Sequence, residues 1–93
     1  MLLGKTFEEY QIEMARYELP IYMAEAVFRY LEHRIPPGGF LSAVISNDLC
    51  GAIARADDNN RDALYRWVGM VYNEFPDGAW GTPEKLKAWV NPE

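Results

Sequence analysis

Residues 35–56 constrain the fold of this chain more than any other stretch, because a proline–glycine turn is followed there by a long helical pattern. The two prolines and two glycines at 36–39 stop any preceding helix, since proline lacks a backbone donor and glycine adopts conformations that other residues avoid. Beyond them, bulky apolar residues recur at about 100° per residue, the helical spacing. They are Leu41, Val44, Ile45, Leu49, Ala52, Ile53 and Ala56. We therefore predict a central helix near residues 39–56.

The opposite side of this predicted helix is small, and its members are Ala43, Asn47, Cys50, Gly51 and Ala54. Small side chains let a neighbouring backbone approach closely, so the helix can be covered on both sides. Asp48 violates the pattern, because it lies between Val44 and Ala52 on the bulky side. A buried carboxylate needs a partner. One hypothesis is a structural clamp, in which Asp48 pairs with Arg55, Arg61 or Arg66 and holds the central helix to the fourth. The other is a cleft in which Asn47 and Asp48 contact a ligand or partner. Asn73 and Trp80 would border that cleft.

The rest of the chain also has the helical period and helix-capping residues. Thr6 followed by Glu9 is a capping-box pattern that begins a first helix. Pro20 predicts a break before a second helix, Asp57 to Asn60 offer caps for a fourth helix ending near Phe75, and Thr82 with Pro83 begins a short helix to about Val90. No strand alternation is visible. The prediction is an all-α compact bundle of about five helices, forming one domain over residues 1–93.

Composition narrows the classes of function. The chain has a formal net charge of -5, one His and one Cys. The negative charge disfavours nonspecific nucleic-acid binding. Because a transition-metal site needs several His, Cys or carboxylate ligands, one His and one Cys predict no metal site, and we expect no cofactor. No catalytic signature is present, so we expect no enzyme activity. No apolar run approaches the ~20 residues of a membrane span. The apolar run at the start of the chain is too short and too soon interrupted for a secretion signal. Together these observations predict a cytoplasmic protein.

Two further groups of residues are candidate binding sites. Gly38 and Gly39 precede the central helix, whose first-turn N–H groups, with Arg34 and Ser42, could receive an anion. The alternative is an ordinary glycine turn. A column of Arg61, Tyr65 and Tyr72 on the fourth helix could stack an aromatic base or contact a partner. The alternative there is boundary packing of the tyrosines.

From Pro36 onward, five motifs carry a resemblance to known sequences. They are Pro36-Pro37-Gly38-Gly39-Phe40-Leu41, Asn47-Asp48-Leu49, Arg55-Ala56-Asp57-Asp58, Tyr72-Asn73 and Trp80-Gly81-Thr82-Pro83-Glu84-Lys85. In these motifs the chain resembles a group of small uncharacterised proteins of bacteriophages and prophages, in which Ser is more usual at the position of Thr82. The resemblance covers about two-thirds of the chain. It implies a phage-type origin, and hence the cytoplasm of a host cell, but no particular chemistry.

Three hypotheses of function follow. The preferred one is a non-enzymatic phage-type accessory protein that binds a host component, such as one of host defence, as a homo-oligomer. Self-association is expected because a chain this short has apolar surface to spare. The alternative is a protein that sequesters a small anionic ligand, such as a nucleotide signal, through Arg34, Arg61 and the tyrosines. A minor hydrolase is the weakest of the three.

Overall fold

The computed structural model describes residues 4–92 of the chain, and this part is all-helical. The expectation about a secretion signal falls partly on Met1 to Leu3, outside the described residues. Seven α-helices follow one another: α1 (Phe7–Arg16), α2 (Ala24–His33), α3 (Gly39–Ile45), α4 (Leu49–Arg55), α5 (Asp58–Asp62), α6 (Leu64–Glu74) and α7 (Pro83–Val90). Short 3-10 turns at Ile21–Met23 and Asp77–Ala79 precede α2 and α7. The predicted all-α class is confirmed, whereas the number of about five helices is too low.

The predicted helix starts at the two ends of the chain are confirmed. Thr6 Oγ1 accepts from Glu9 N at 3.1 Å, and Glu9 Oε1 accepts from Thr6 N at 2.8 Å, which completes the capping box of α1. Thr82 Oγ1 accepts from Lys85 N at 3.1 Å, and Pro83 is the first residue of α7. In each case a side-chain oxygen satisfies an amide that the helix leaves without a partner.

The prediction of one central helix over residues 39–56 is wrong. Helix α3 ends at Ile45 and α4 begins at Leu49. Between them Asn47 adopts a left-handed conformation, with φ of 67°, and the Asp48 carboxylate accepts from Gly51 N at 2.9 Å as the N-cap of α4. Asn tolerates the left-handed region and Asp is among the preferred N-caps, so this pair ends one helix and begins the next.

The predicted fourth helix is likewise divided. Asp57 caps α5 by accepting from Asn60 N at 2.8 Å, and Ala63 separates α5 from α6. Within α6, Trp67 and Met70 are completely buried. The chain is interrupted between α5 and α6, but the side of α6 that carries Trp67 and Met70 still faces the core.

The core is built from α1, α2, α3 and α6, with α7 packed against it. Its largest fully buried side chains include Trp67, Tyr10, Tyr30, Met14 and Leu41. The polar ends of the buried aromatic residues have partners: Tyr30 Oη donates to Ala79 O at 2.6 Å, and Trp67 Nε1 donates to Asn60 Oδ1 at 2.9 Å. Trp89 of α7 donates from Nε1 to Tyr30 O at 2.8 Å, which attaches the last helix to α2.

Two buried glutamates hold the N-terminal segment to the helices. Glu32 of α2 accepts from Gly4 N at 3.0 Å, from Lys5 N at 3.1 Å and from Tyr10 Oη at 2.7 Å. Glu13 of α1 forms an ion pair with Lys5 Nζ at 3.1 Å. A buried carboxylate is tolerated only with such partners. Lys5 and its neighbours are thus fixed against α1 and α2.

Glu13 of α1 and Glu74 of α6 influence each other's ionisation, and this pair gives a pH prediction. Burial raises the pKa of Glu13, whereas the hydrogen bond from Tyr17 lowers the pKa of Glu74. Folding therefore strengthens proton binding at Glu13. Protonated Glu13 makes its full contribution to the free energy of unfolding below the ordinary glutamate pKa of about 4.3. That contribution is lost as the pH rises through the raised pKa of the folded state.

The test is Glu13→Gln, whose side chain is neutral at every pH. We expect the melting temperature of this variant, relative to wild type, to rise as the pH is raised above about 4, because only the wild type must ionise a buried carboxyl group. Glu74 contributes in the opposite sense, with stability that is lost as the pH falls through its lowered pKa, and Tyr17, the largest cause of that lowering, is unchanged in the variant. A difference that stays constant with pH would show that Glu13 titrates normally.

Candidate functional site

A cluster of exposed apolar side chains on α4 and α6 is the clearest departure from ordinary surface patterning in this structure. We call it the α4–α6 face, and it consists of Leu49, Ile53, Tyr65, Val68 and Tyr72. Tyr65 is 86% exposed, Tyr72 70% and Leu49 64%, while Ile53 and Val68 are roughly half exposed. Single exposed apolar residues are ordinary, whereas five grouped on two helices are a candidate interaction surface.

The face is continuous because each helix contributes residues that lie one turn apart. Leu49 and Ile53 are four positions apart on α4, as are Val68 and Tyr72 on α6, and such pairs share one side of a helix. A cavity of about 40 Å³ lies between the two helices. Its lining residues are Val44, Asn47, Asp48, Leu49, Ala52, Leu64 and Val68.

One end of the face is supported by the segment before α7. The rings of Tyr72 and Trp80 meet edge to face, with centroids 5.7 Å apart. Asn47 Nδ2 donates to Gly81 O at 3.3 Å, and Gly81 N donates to Ile45 O at 2.7 Å. Trp80 Nε1 is buried and has no hydrogen-bond partner in the part of the chain that the structure describes. The structure therefore brings Asn47, Asp48, Tyr72 and Trp80 to one region.

The clamp hypothesis for Asp48 is wrong. Asp48 is exposed, and it makes no ion pair with a described residue. Two of its candidate partners are engaged elsewhere, since Arg61 forms an ion pair with Asp58 at 3.3 Å and Arg66 donates to Glu18 O. Arg55 lies beside Asp48 but donates to Gly51 O instead. The helix breaks just before Asp48, which turns its carboxylate back onto the first turn of α4 instead of into the core.

The role as N-cap gives Asp48 a modest expected effect on stability. Asp48→Ala removes the acceptor of the Gly51 amide, and loss of such a cap costs about 1 kcal/mol of unfolding free energy. Asp48→Asn keeps an acceptor oxygen and should be close to wild type. Chemical denaturation of both variants is the measurement, and a loss of about 3–5 kcal/mol for either would point back to a buried ion pair.

The predicted anion site at the start of the central helix lies in a different part of the molecule. The Arg34 guanidinium stacks 4.0 Å from the centre of the Trp89 ring and donates from Nη1 to Trp89 O at 2.9 Å. Gly38, with φ of 91°, is the N-cap of α3, and its carbonyl accepts from Ser42 N at 2.9 Å. Gly39 lies against the Arg55 side chain, since a Cβ there would be 3.0 Å from Arg55 Cδ.

The remaining candidates are distributed over two surfaces. Arg61 lies on α5 and donates to Asp58 and to Ala56 O, whereas Tyr65 and Tyr72 lie on α6, so the predicted column is divided between two helices. Asn73 is exposed and follows Tyr72 on α6. The structure thus joins Tyr72 to Trp80, next to the contact of Asn47 with Gly81, while Arg34 contacts α7 and Arg61 contacts Asp58 of α5.

Leu49 and Ile53 belong to the bulky side of the predicted central helix, which was expected to be covered, but both are exposed, as is Val68 of α6. The apolar pattern alone does not say which apolar side a neighbour covers. One available signal was Asn47-Asp48, a helix-ending residue followed by a capping residue. A break there changes the orientation of Leu49 and Ile53 relative to Leu41 and Val44.

No group of three or more His, Cys, Asp or Glu residues that could hold a metal ion occurs within residues 4–92. No helix in the same range combines the length and apolar character needed to span a bilayer. Comparison of the chain with protein-family models, with curated proteins and with solved structures gives no match.

Proposed function

We propose that this protein is a non-enzymatic binding protein of the phage accessory type. In this proposal it acts as a homo-oligomer in the cytoplasm of a bacterial host and interferes with a host protein, such as a component of defence. The α4–α6 face is the docking surface. The observation that carries the proposal is the alignment of Tyr65, Val68 and Tyr72 as an exposed stripe on α6, beside Leu49 of α4.

The chemistry of the face favours a protein over a small ligand. Tyrosine is enriched among the residues that dominate binding energy at protein interfaces, because it combines a large apolar area with a polar end. From their exposure, Tyr65 and Tyr72 together offer roughly 300 Å² of surface. The cavity of about 40 Å³ beside them is far smaller than the ~300–1,000 Å³ of ordinary ligand pockets.

The alternative of a sequestered anionic ligand has less support. Its proposed cations, Arg34 and Arg61, contact different elements, α7 and α5 respectively. A wider cavity of about 540 Å³ has Phe7, Phe28 and His33 in its lining, and it contains none of the residues proposed for such a ligand.

The proposal is tested with a photo-activatable amino acid in place of Val68, in protein expressed in bacterial cells. Ile12 is the matched control, because it is a comparably exposed apolar residue on α1. We expect irradiation to yield a discrete adduct with one host protein from position 68 and not from position 12. Equal adduct patterns from both positions, or none from position 68, would overturn the proposal.

A further inference from the structure

A cavity of about 540 Å³ lies between the start of α1, the outer side of α2 and the turn that follows α2. It shares no residue with the α4–α6 face, and its volume is within the ~300–1,000 Å³ of ordinary ligand pockets. Its lining residues are Phe7, Glu25, Phe28, Arg29, His33 and Ile35. The cavity therefore combines aromatic and aliphatic side chains with one carboxylate and one guanidinium.

Backbone hydrogen bonds hold two walls of this cavity in place. Phe7 is the first residue of α1, directly after the capping box that begins this helix. At the end of α2, Arg34 adopts a left-handed conformation with φ of 59°, a common way to end a helix. The chain turns back there, and Ile35 N donates to Arg29 O at 3.2 Å. The cavity is thus formed before any ligand binds.

The aromatic side chains of the cavity form a cluster with Phe28 at its centre. The Phe28 ring meets the Phe7 ring edge to face, with centroids 5.7 Å apart, and it meets the His33 ring in the same way at 5.1 Å. A third such contact, at 6.0 Å, joins Phe28 to the buried ring of Tyr10. Phe7 and Phe28 are only partly buried, and both line the cavity. Because aromatic rings pack favourably with one another, this wall suits a further planar ring.

Glu25 and Arg29 place opposite charges side by side at the cavity. They are four positions apart on α2, and Arg29 Nη1 lies 3.8 Å from Glu25 Oε2, which is longer than a hydrogen bond. Neither side chain forms a hydrogen bond within residues 4–92. Both are exposed, and both also line an adjoining cavity of about 390 Å³. An exposed pair of this kind is held weakly, so the guanidinium and the carboxylate are available to a ligand.

We infer that this cavity binds a free aromatic amino acid. The ring of the ligand packs against Phe7 and Phe28, its α-carboxylate accepts from the guanidinium of Arg29, and its α-ammonium donates to the carboxylate of Glu25. The guanidinium presents a fork of donors that fits a carboxylate. A ligand with only a negative charge would be repelled by Glu25, and one with only a positive charge by Arg29. A zwitterion is therefore the ligand that both charges favour.

His33 provides a direct probe because it is the only histidine of the chain and lines the cavity. Its ring-proton signals are followed by NMR while L-tryptophan is added to the purified full chain. We expect a saturable shift, because the ring current of a bound indole acts on neighbouring nuclei. Tryptamine lacks the carboxylate and indole-3-acetate lacks the ammonium, so each should bind about tenfold more weakly. No saturable shift with L-tryptophan, or equal affinity for the three compounds, would overturn the inference.

Two variants test the role of each charge. Arg29→Gln should weaken binding of L-tryptophan about tenfold without weakening that of tryptamine, which has no carboxylate. Glu25→Gln should weaken binding of L-tryptophan to a similar extent without weakening that of indole-3-acetate. Wild-type affinity for L-tryptophan in either variant would refute the inferred site.

Arg16→Gln and Glu84→Gln are the matched controls, because they remove exposed charges that do not line the cavity. Both should bind L-tryptophan as the wild type does. Since all four substituted positions are exposed, the melting temperatures should stay close to that of the wild type. Equal weakening in the controls would attribute the effect to the net charge of the chain and overturn the inference. The inference goes beyond the proposed function and does not rest on it, because these measurements use the purified chain without a host protein.

Discussion

Trp67→Ala is expected to lower the free energy of unfolding by about 3–5 kcal/mol, a large part of the stability of a domain of this size. Trp67 is completely buried on α6, and its ring meets that of Phe40 edge to face at 6.0 Å. Removal of the ring opens a cavity between α3 and α6. It also takes the hydrogen-bond donor from Asn60 Oδ1, which is itself buried. Urea denaturation followed by circular dichroism is the measurement.

Trp67→Phe separates packing from the hydrogen bond. This variant keeps an aromatic ring against Phe40 but leaves the Asn60 amide oxygen without its donor, and a buried acceptor left in this way costs about 1–3 kcal/mol. We therefore expect an intermediate stability. If Trp67→Ala were no less stable than Trp67→Phe, the ring would not fill the core as described.

The second large effect is expected on binding. With the photo-activatable residue at position 68, Tyr65→Ala and Tyr72→Ala should each reduce the yield of the host adduct at least about tenfold. Tyrosines that act as hot spots contribute about 2 kcal/mol or more at interfaces. Both side chains are mostly exposed, so the melting temperature should stay close to that of the wild type.

Tyr22→Ala is the control for these variants, because Tyr22 is an exposed tyrosine outside the α4–α6 face and donates to Asp57 Oδ2 at 2.5 Å. It should leave the yield of adduct unchanged. If Tyr22→Ala reduced the adduct as much as Tyr72→Ala, the partner would contact a different surface. A drop in melting temperature that parallels the loss of adduct would show that Tyr72 supports the fold through its contact with Trp80.

The helices could be predicted from the sequence where a cap and a stop lay close to an uninterrupted apolar pattern. Thr6 with Glu9 and Thr82 with Pro83 each supply their own local hydrogen bond, so the helix start needs no distant residue to define it. The central helix was predicted as one because Leu41 to Ala56 keep the helical period across Asn47 and Asp48. In the structure the hydrogen bonds that Asn47 and Asp48 form with neighbouring residues end one helix and begin another, although the apolar pattern continues through them.

The candidate site was only half predictable for a related reason. Tyr65, Tyr72, Trp80 and Asn47 were identified as individual residues, and the structure brings them to one surface with Val68 and Leu49. Periodicity groups apolar residues on one side of a helix, but it does not show whether another helix covers that side. Because the position of α4 relative to α6 depends on the break at Asn47, the exposure of Leu49, Ile53 and Val68 required the three-dimensional structure.

Hydroxyl-radical footprinting tests most directly whether the α4–α6 face is the working surface of the protein. Labelling is compared between the dilute purified chain and the chain in a bacterial host lysate. We predict that Leu49, Val68 and Tyr72 lose labelling in the lysate, while Ile12 and Ile21, exposed apolar residues elsewhere, are labelled equally in both states. Equal labelling of the face in the two states, or protection of Ile12 and Ile21 in its place, would contradict the account.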